Sequence, residues 1–113
     1  MSAGPRMTMQ VQAVLRAFLT DPAQRRYGLE LCAATTLPSG TVYPILARLE
    51  RIGWVESHWE EGGAQAGEGR PRRRYYTITS DGAERSRDAI ARAYTSRRQP
   101  APYWLEGPVG GPA

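Results

Sequence analysis

The sequence contains no lysine at all, a single cysteine and a single histidine, and no apolar run approaching the ~18 residues of a membrane-spanning helix. Each shortage excludes something. Cys32 alone cannot close an internal disulfide, which fits a reducing cytosol, and its place beside Leu31 and Ala33 on a helical stretch suits a buried thiol. His58 has no second histidine and no cysteine cluster near it, so neither a metal site nor a Ser-His-Asp arrangement has material here. The expectation is a protein that is not an enzyme, with no cofactor and no metal. With no apolar span and no signal-peptide pattern at the start, the expected location is cytoplasmic, away from the membrane. The missing lysine means that all 15 basic residues are arginine, which meets phosphate and guanine edges in a bidentate way. GC-rich coding would give the same bias, so where the arginines fall says more than their kind.

The chain has 113 residues and a net charge of +4, which suits one modest domain. From Asp21 to Trp59 four arginines cancel Asp21, Glu30, Glu50 and Glu56. The positive excess lies in the N-terminal segment, the run Arg70–Arg74 and the stretch Ser80–Arg98. Local basic clusters on a moderately charged chain fit a nucleic-acid binder better than a membrane-surface protein.

The most informative stretch is Ser39–Trp54. Val42, Ile45, Leu46, Leu49 and Ile52 recur at three- and four-residue steps, which predicts an amphipathic helix. Its other face carries Tyr43, Pro44, Ala47 and Arg51, with Arg48 at the edge. Gly53 is the expected stop, Pro44 is expected in the first turn, and the hydroxyls between Ser39 and Thr41 are expected to cap it. A shorter helix precedes it, from about Gly28 to Thr35-Thr36, ended by Leu37-Pro38. Two short helices joined by a tight turn describe a helix-turn-helix; an ordinary helical hairpin is the plainer alternative. Upstream, Val11, Val14, Leu15 and Phe18 predict a first helix over about Thr8–Leu19, followed by a polar connector to Arg26.

After Gly53 the pattern alternates. Trp54–Trp59 and Arg72–Thr79 read as two strands around a tip holding Gly62, Gly63, Gly67 and Gly69, expected to be flexible. A hairpin directly after a helix-turn-helix is a wing. Ser80-Asp81 opens a last helix to about Arg98 whose apolar stripe, Ala83, Ile90, Ala93 and Tyr94, is thin. Such a helix makes sense packed on the first helix or on a second subunit. From Gln99 four prolines and three glycines end regular structure.

Ser-Gly-Thr-Val-Tyr-Pro-Ile-Leu-Ala-Arg-Leu-Glu-Arg-Ile-Gly-Trp-Val and, further on, Gly-Arg-Pro-Arg-Arg-Arg-Tyr-Tyr-Thr-Ile-Thr-Ser-Asp-Gly resemble the PadR family of bacterial winged-helix transcription regulators. Tyr27-Gly28-Leu29-Glu30-Leu31 is similar to the start of that family's second helix. The likeness is close from about Tyr27 to Glu84. It implies a homodimer on a palindromic operator, usually as a repressor, with the C-terminal helix pairing against the partner subunit. The acidic, Gly-rich insert Glu60–Glu68 is longer than the tightest wings of the family.

The expected fold is therefore mainly α with a small β-hairpin: a winged helix-turn-helix over 1–79, a dimerisation helix over 80–98 and a Pro/Gly-rich tail over 99–113. Double-stranded DNA is the expected partner. Thr41 and Tyr43, at the exposed start of the recognition helix, are candidates for base or phosphate contact, with Ser39 as a cap that can also meet phosphate. Arg48 and Arg51 suit phosphate, or pair with Glu50 or Glu56 as on any solvated helix. On the wing, Arg70, Arg72 and Arg73 join the candidate set, and Gly69-Arg70-Pro71 resembles the core of an AT-hook. The plainer alternative is a charge run that protects a sheet edge. Alternation sends Arg72 and Arg74 to one face and Arg73 to the other, which favours Arg70 and Arg72 as the contacting pair. Val11, Leu15, Phe18, Ile90 and Tyr94 are the expected dimer contacts. A winged helix used only as a protein adaptor is the rival reading. A further one adds a small flat aromatic ligand bound at the dimer interface, as in some members of the family.

Overall fold

The computed structural model describes residues 4–61 and 72–98, apart from the side chains of 96–98. Helix α1 spans Met9–Thr20. The first-turn amides of a helix lack intrahelical partners, and Thr8 supplies one: its Oγ1 accepts the Val11 N–H at 3.1 Å. Val11, Val14, Leu15 and Phe18 share the inner face and are at most 7% exposed. This corrects one expectation. Val11, Leu15 and Phe18 face the subunit's own core, not a partner, because a core this small needs the whole stripe to cover Leu31, Val42, Leu46 and Leu49. A 3.6-residue period says that a face is buried, not by what.

The polar connector holds a strand that periodicity did not reveal. β1, Arg26–Tyr27, pairs antiparallel with a later strand, and two residues are too few to show alternation. Helix α2 follows at once over Gly28–Thr35, with the Tyr27 N–H donated to Glu30 Oε1 at 3.2 Å. Thr36 turns the chain in the left-handed region at φ 58°, and α3 runs from Ser39 to Arg51. Here the cap differs from expectation. Pro38 occupies the N-cap, and its carbonyl accepts the Thr41 and Val42 N–H groups at 2.9 and 3.0 Å, so the hydroxyls of Ser39 and Thr41 lie inside the helix. Pro44 consequently falls in the second turn, where it withholds a hydrogen bond from the Gly40 carbonyl. Both residues are at the surface.

The far end of α3 is as the sequence implies. Gly53 takes φ 82°, its N–H reaches the Glu50 carbonyl at 3.0 Å, and the Trp54 N–H reaches the Leu49 carbonyl at 2.9 Å. That nested pair is a Schellman stop. Strands β2 (Val55–Trp59) and β3 (Arg74–Ile78) then pair from Val55↔Ile78 to Trp59↔Arg74, and the sheet order is β1-β3-β2. Val55, Tyr76 and Ile78 point into the core. Helix α4 covers Ser80–Arg98, capped by Thr79, whose Oγ1 accepts the Gly82 N–H at 2.8 Å. Ala83 and Ser86 are buried on its inner face, Ile90 is half-buried, and Tyr94 is 58% exposed. No helix among the described residues is long and apolar enough to cross a membrane. The Gly-rich tip, Arg70 and the tail 99–113 lie outside the described residues.

Two glycines predict opposite responses. A Cβ on Gly82 would run into the Trp54 backbone, whereas one on Gly40 meets nothing within 4 Å. Gly82→Ala should destabilise by about 1–3 kcal/mol. Gly40→Ala should change stability by less than about 1 kcal/mol, towards greater stability. Urea unfolding of both variants checks the contrast.

Candidate nucleic-acid interface

Burying Val42, Leu46 and Leu49 turns the opposite face of α3 to solvent. Ser39, Gly40, Tyr43, Pro44, Ala47, Arg48 and Arg51 are all exposed, while Thr41 is half-buried at the edge. Tyr43, 42% exposed, lies across the angle between the two helices with its hydroxyl end over Gly28. A Cβ at Gly28 would collide with that ring, so the glycine that opens α2 is what lets Tyr43 lie there. Nothing in the spacing of Gly28 announces this role.

The last turn of α3 is tied to the wing. Arg74 Nη2 lies 3.3 Å from both carboxylate oxygens of Glu50 and donates to Ser57 Oγ at 2.9 Å, while the Ser57 hydroxyl donates to Glu50 Oε2 at 2.5 Å. A partly exposed ion pair contributes little stability, but three groups sharing one network fix an angle. Glu50 is thereby taken by Arg74. Arg48 and Arg51 form no ion pair with any described residue and stand free on the exposed face.

Arg72, Arg73 and Arg74 of the wing are stacked on aromatic rings, and the two faces of the sheet separate them. Arg72 and Arg74 lie over Trp59 at 6.0 and 5.5 Å, with Arg74 also 5.8 Å from the Tyr76 ring. This is the face joined to α3 through Glu50. On the opposite face Arg73 sits 4.2 Å over Tyr27, which meets Tyr75 edge-on at 5.7 Å, and Arg25 caps Tyr75 at 5.2 Å. A hydrogen bond to Tyr75 raises the Arg73 guanidinium pKa above its ordinary value, helped by Tyr27, Tyr75 and Glu60 and opposed by desolvation. Glu60, from the acidic insert, extends the pairing of the wing past Trp59 and Arg74: its N–H donates to the Arg73 carbonyl at 2.7 Å and its carboxylate accepts the Arg73 N–H at 3.0 Å. Its carbonyl also accepts Arg72 Nε at 2.8 Å.

Ser39, Thr41, Tyr43 and Arg48 therefore share α3, and Arg72 lies on the wing face linked to it. Arg73 faces away, and Arg70 lies outside the described residues. Sequence reasoning overlooked the Trp59 shelf and the Arg25–Tyr75–Tyr27–Arg73 ladder. The cross-strand pair Trp59↔Arg74 was the available signal, once the hairpin register is fixed. Among the described residues no group of three His, Cys, Asp or Glu could hold a metal ion.

A family model described as the transcriptional regulator PadR-like family matches residues 19–88. Among solved structures, a PadR family transcriptional regulator from Eggerthella lenta is similar at 25% identity and a TM-score of 0.58, with 80% of each chain covered. A PadR family transcription regulator from Clostridium difficile is similar at 19% identity and a TM-score of 0.60, over 78% of this chain and 91% of that one. MepR of S. aureus, solved in complex with DNA, shares the fold at 17% identity and a TM-score of 0.57, over 81% and 68% of the two chains. No curated protein matches the sequence.

The root of the wing carries a pH prediction. Burial pushes the Tyr76 phenol above its ordinary pKa of 10.0, with Arg74 opposing and Glu50 and Tyr43 adding to the rise. A raised folded-state pKa means that this contribution to stability is complete below the unfolded value and is lost as pH climbs through the folded one. Unfolding free energy should therefore fall as pH climbs past the ordinary tyrosine value of 10.0, and Tyr76→Phe should flatten that fall. Denaturant titrations below and above that value measure both.

Proposed function

Because the chain belongs to the PadR-like family of transcriptional regulators, we propose that it is a sequence-specific DNA-binding regulator, acting as a homodimeric repressor on a palindromic operator. The observation that carries this reading is the union of two surfaces: the exposed polar face of α3 and the arginine face of the wing, joined by Glu50, Ser57 and Arg74. A recognition helix needs such a face to lie in the major groove, and arginine beside it suits phosphate. A protein adaptor would need an apolar outer face on α3, and this one offers Ser39, Tyr43, Arg48 and Arg51 instead. The S. aureus MepR complex supports the same use of this fold.

In this reading residues 1–79 bind DNA, with Ser39, Thr41 and Tyr43 towards base edges and Arg48, Arg70 and Arg72 towards phosphates. Arg73, on the far sheet face, supports the wing through Tyr27. Residues 80–98 pair with the partner subunit. Since Val11, Leu15 and Phe18 belong to the core, the dimer contact falls to Ile90 and Tyr94 on α4 and to the outer face of α1. A cleft of about 310 Å³ between α1 and α4, lined by Met9, Ala13, Ala93 and Tyr94 among others, suits a small flat aromatic effector at that contact. A cytoplasmic location completes the reading.

Two experiments test it. Binding to a duplex carrying the preferred site and to a scrambled one should be measured at two salt concentrations. Arg72→Ala should weaken both by a similar factor and lower the salt slope by about one unit. Tyr43→Ala should penalise the preferred site more, by about 1–3 kcal/mol. Equal losses for Tyr43→Ala on both duplexes would remove specificity from that position. For the dimer, Ile90→Glu buries a charge at the contact and should cost about 3–5 kcal/mol of association. Ultracentrifugation that finds the unaltered chain monomeric at micromolar concentration would sink the dimer.

A further inference from the structure

The geometry points to a second binding site: we infer that the cleft between α1 and α2 takes a small phosphate-bearing anion. The cleft has a volume of about 450 Å³ and lies apart from the proposed DNA face, since no residue of α3, β2 or β3 lines it. Arg16 reaches it from α1 and Arg26 from β1, and Ala17 and Ala34 form part of its apolar wall. Arg26 Nε is shielded from solvent and has no hydrogen-bond partner among the described residues. An occupant of the cleft does not reach that sealed Nε; the Nη groups of Arg26, which are not sealed, are the donors that meet it. None of the described lining residues is acidic, and neither arginine makes an ion pair with a described residue.

Two guanidinium groups with no carboxylate call for a dianion, and their planar forks match phosphate oxygens. Thr20 and Thr35 also line the cleft, but their hydroxyls already donate to the Arg16 and Leu31 carbonyls at 3.0 and 2.7 Å. The arginines therefore hold the anion, and the alanine wall leaves room for a small organic body: a phosphate monoester fits better than a bare ion. A bound anion would brace α1, β1 and α2, the first helix of the helix-turn-helix, against one another.

The test uses the full chain without DNA, so it stands whatever becomes of the DNA-binding reading. Inorganic phosphate is titrated against chloride at constant ionic strength, reading thermal unfolding and the phosphate dissociation constant by phosphorus NMR. The unaltered chain and Arg6→Gln, an exposed arginine of the N-terminal segment, should show the same saturable rise in Tm with phosphate and none with chloride. Arg16→Gln, at an exposed position of α1, should weaken phosphate binding about tenfold or more, and Arg26→Gln likewise. Arg16 also borders the cleft between α1 and α4, so if Arg26→Gln does not fold, Ala34→Glu, which sets a carboxylate in the wall of this cleft alone, takes its place and should weaken binding as far; unchanged affinity there would overturn the site. A response no larger than that to chloride, unchanged affinity in Arg16→Gln, or an equal loss in Arg6→Gln would overturn the site.

Discussion

The backbone of Trp54 is the point on which the rest of the structure hangs. Its N–H closes α3 on the Leu49 carbonyl, made possible by the left-handed Gly53 before it. Its carbonyl accepts the Thr79 N–H at 2.9 Å and the Thr79 hydroxyl at 3.2 Å, so the strand that leaves the wing is fastened where the wing began. Thr79 then caps α4, and Gly82 presses its bare Cα against the same peptide. The indole, 6% exposed, fills the core below and packs under Gly4 of the N-terminal segment. One residue thus joins the end of α3, both ends of the hairpin and the start of the last helix. Apart from the local Leu49 bond, these contacts join residues far apart in sequence, which is what turns three local motifs into one body.

The surface proposed to face DNA inherits its shape from that junction. With the hairpin rooted at Trp54 and crossed by the Glu50–Ser57–Arg74 network, the angle between α3 and the wing is set before any ligand arrives. The arginines of the wing are held in part by Trp59, Tyr27 and Tyr75, whose ring faces attract guanidinium groups. Long side chains held in place lose less freedom on binding, and a preformed surface binds at lower entropic cost. Separating Arg72 from Arg73 on opposite sheet faces also divides the labour: one aligned with α3, the other supporting the strand pair β1–β3.

Where a signal was periodic or punctuated, the sequence disclosed the structure. The stripes of α1 and α3, the Gly53 stop, the alternation of the wing and the start of α4 are all written in residue spacing. The Arg72/Arg73 division follows from alternation alone. What escaped was set by contacts distant in sequence. β1 is two residues long and exists because Tyr75 and Tyr76 lie opposite it. The expected Ser39–Thr41 hydroxyls do not cap α3 because the cap falls one residue earlier, at Pro38, whose carbonyl takes the Thr41 N–H that a side-chain cap would have taken. Val11, Leu15 and Phe18 were correctly read as an apolar face and wrongly given a partner, since a small core's demand for cover is invisible in a single helix. Gly28 under Tyr43 and the unpaired Arg26 Nε are of the same kind: facts about what two segments do to each other.

The central claim is that the α3 face and the wing, presented twice by a symmetric dimer, read one DNA sequence. The most direct measurement is selection of bound fragments from a random duplex pool, followed by sequencing. Enrichment of an inverted repeat, with half-site centres about 10–10.5 base pairs apart or a multiple of that, is the expected result. Recovery of fragments with no shared sequence, or of none above background, would contradict it.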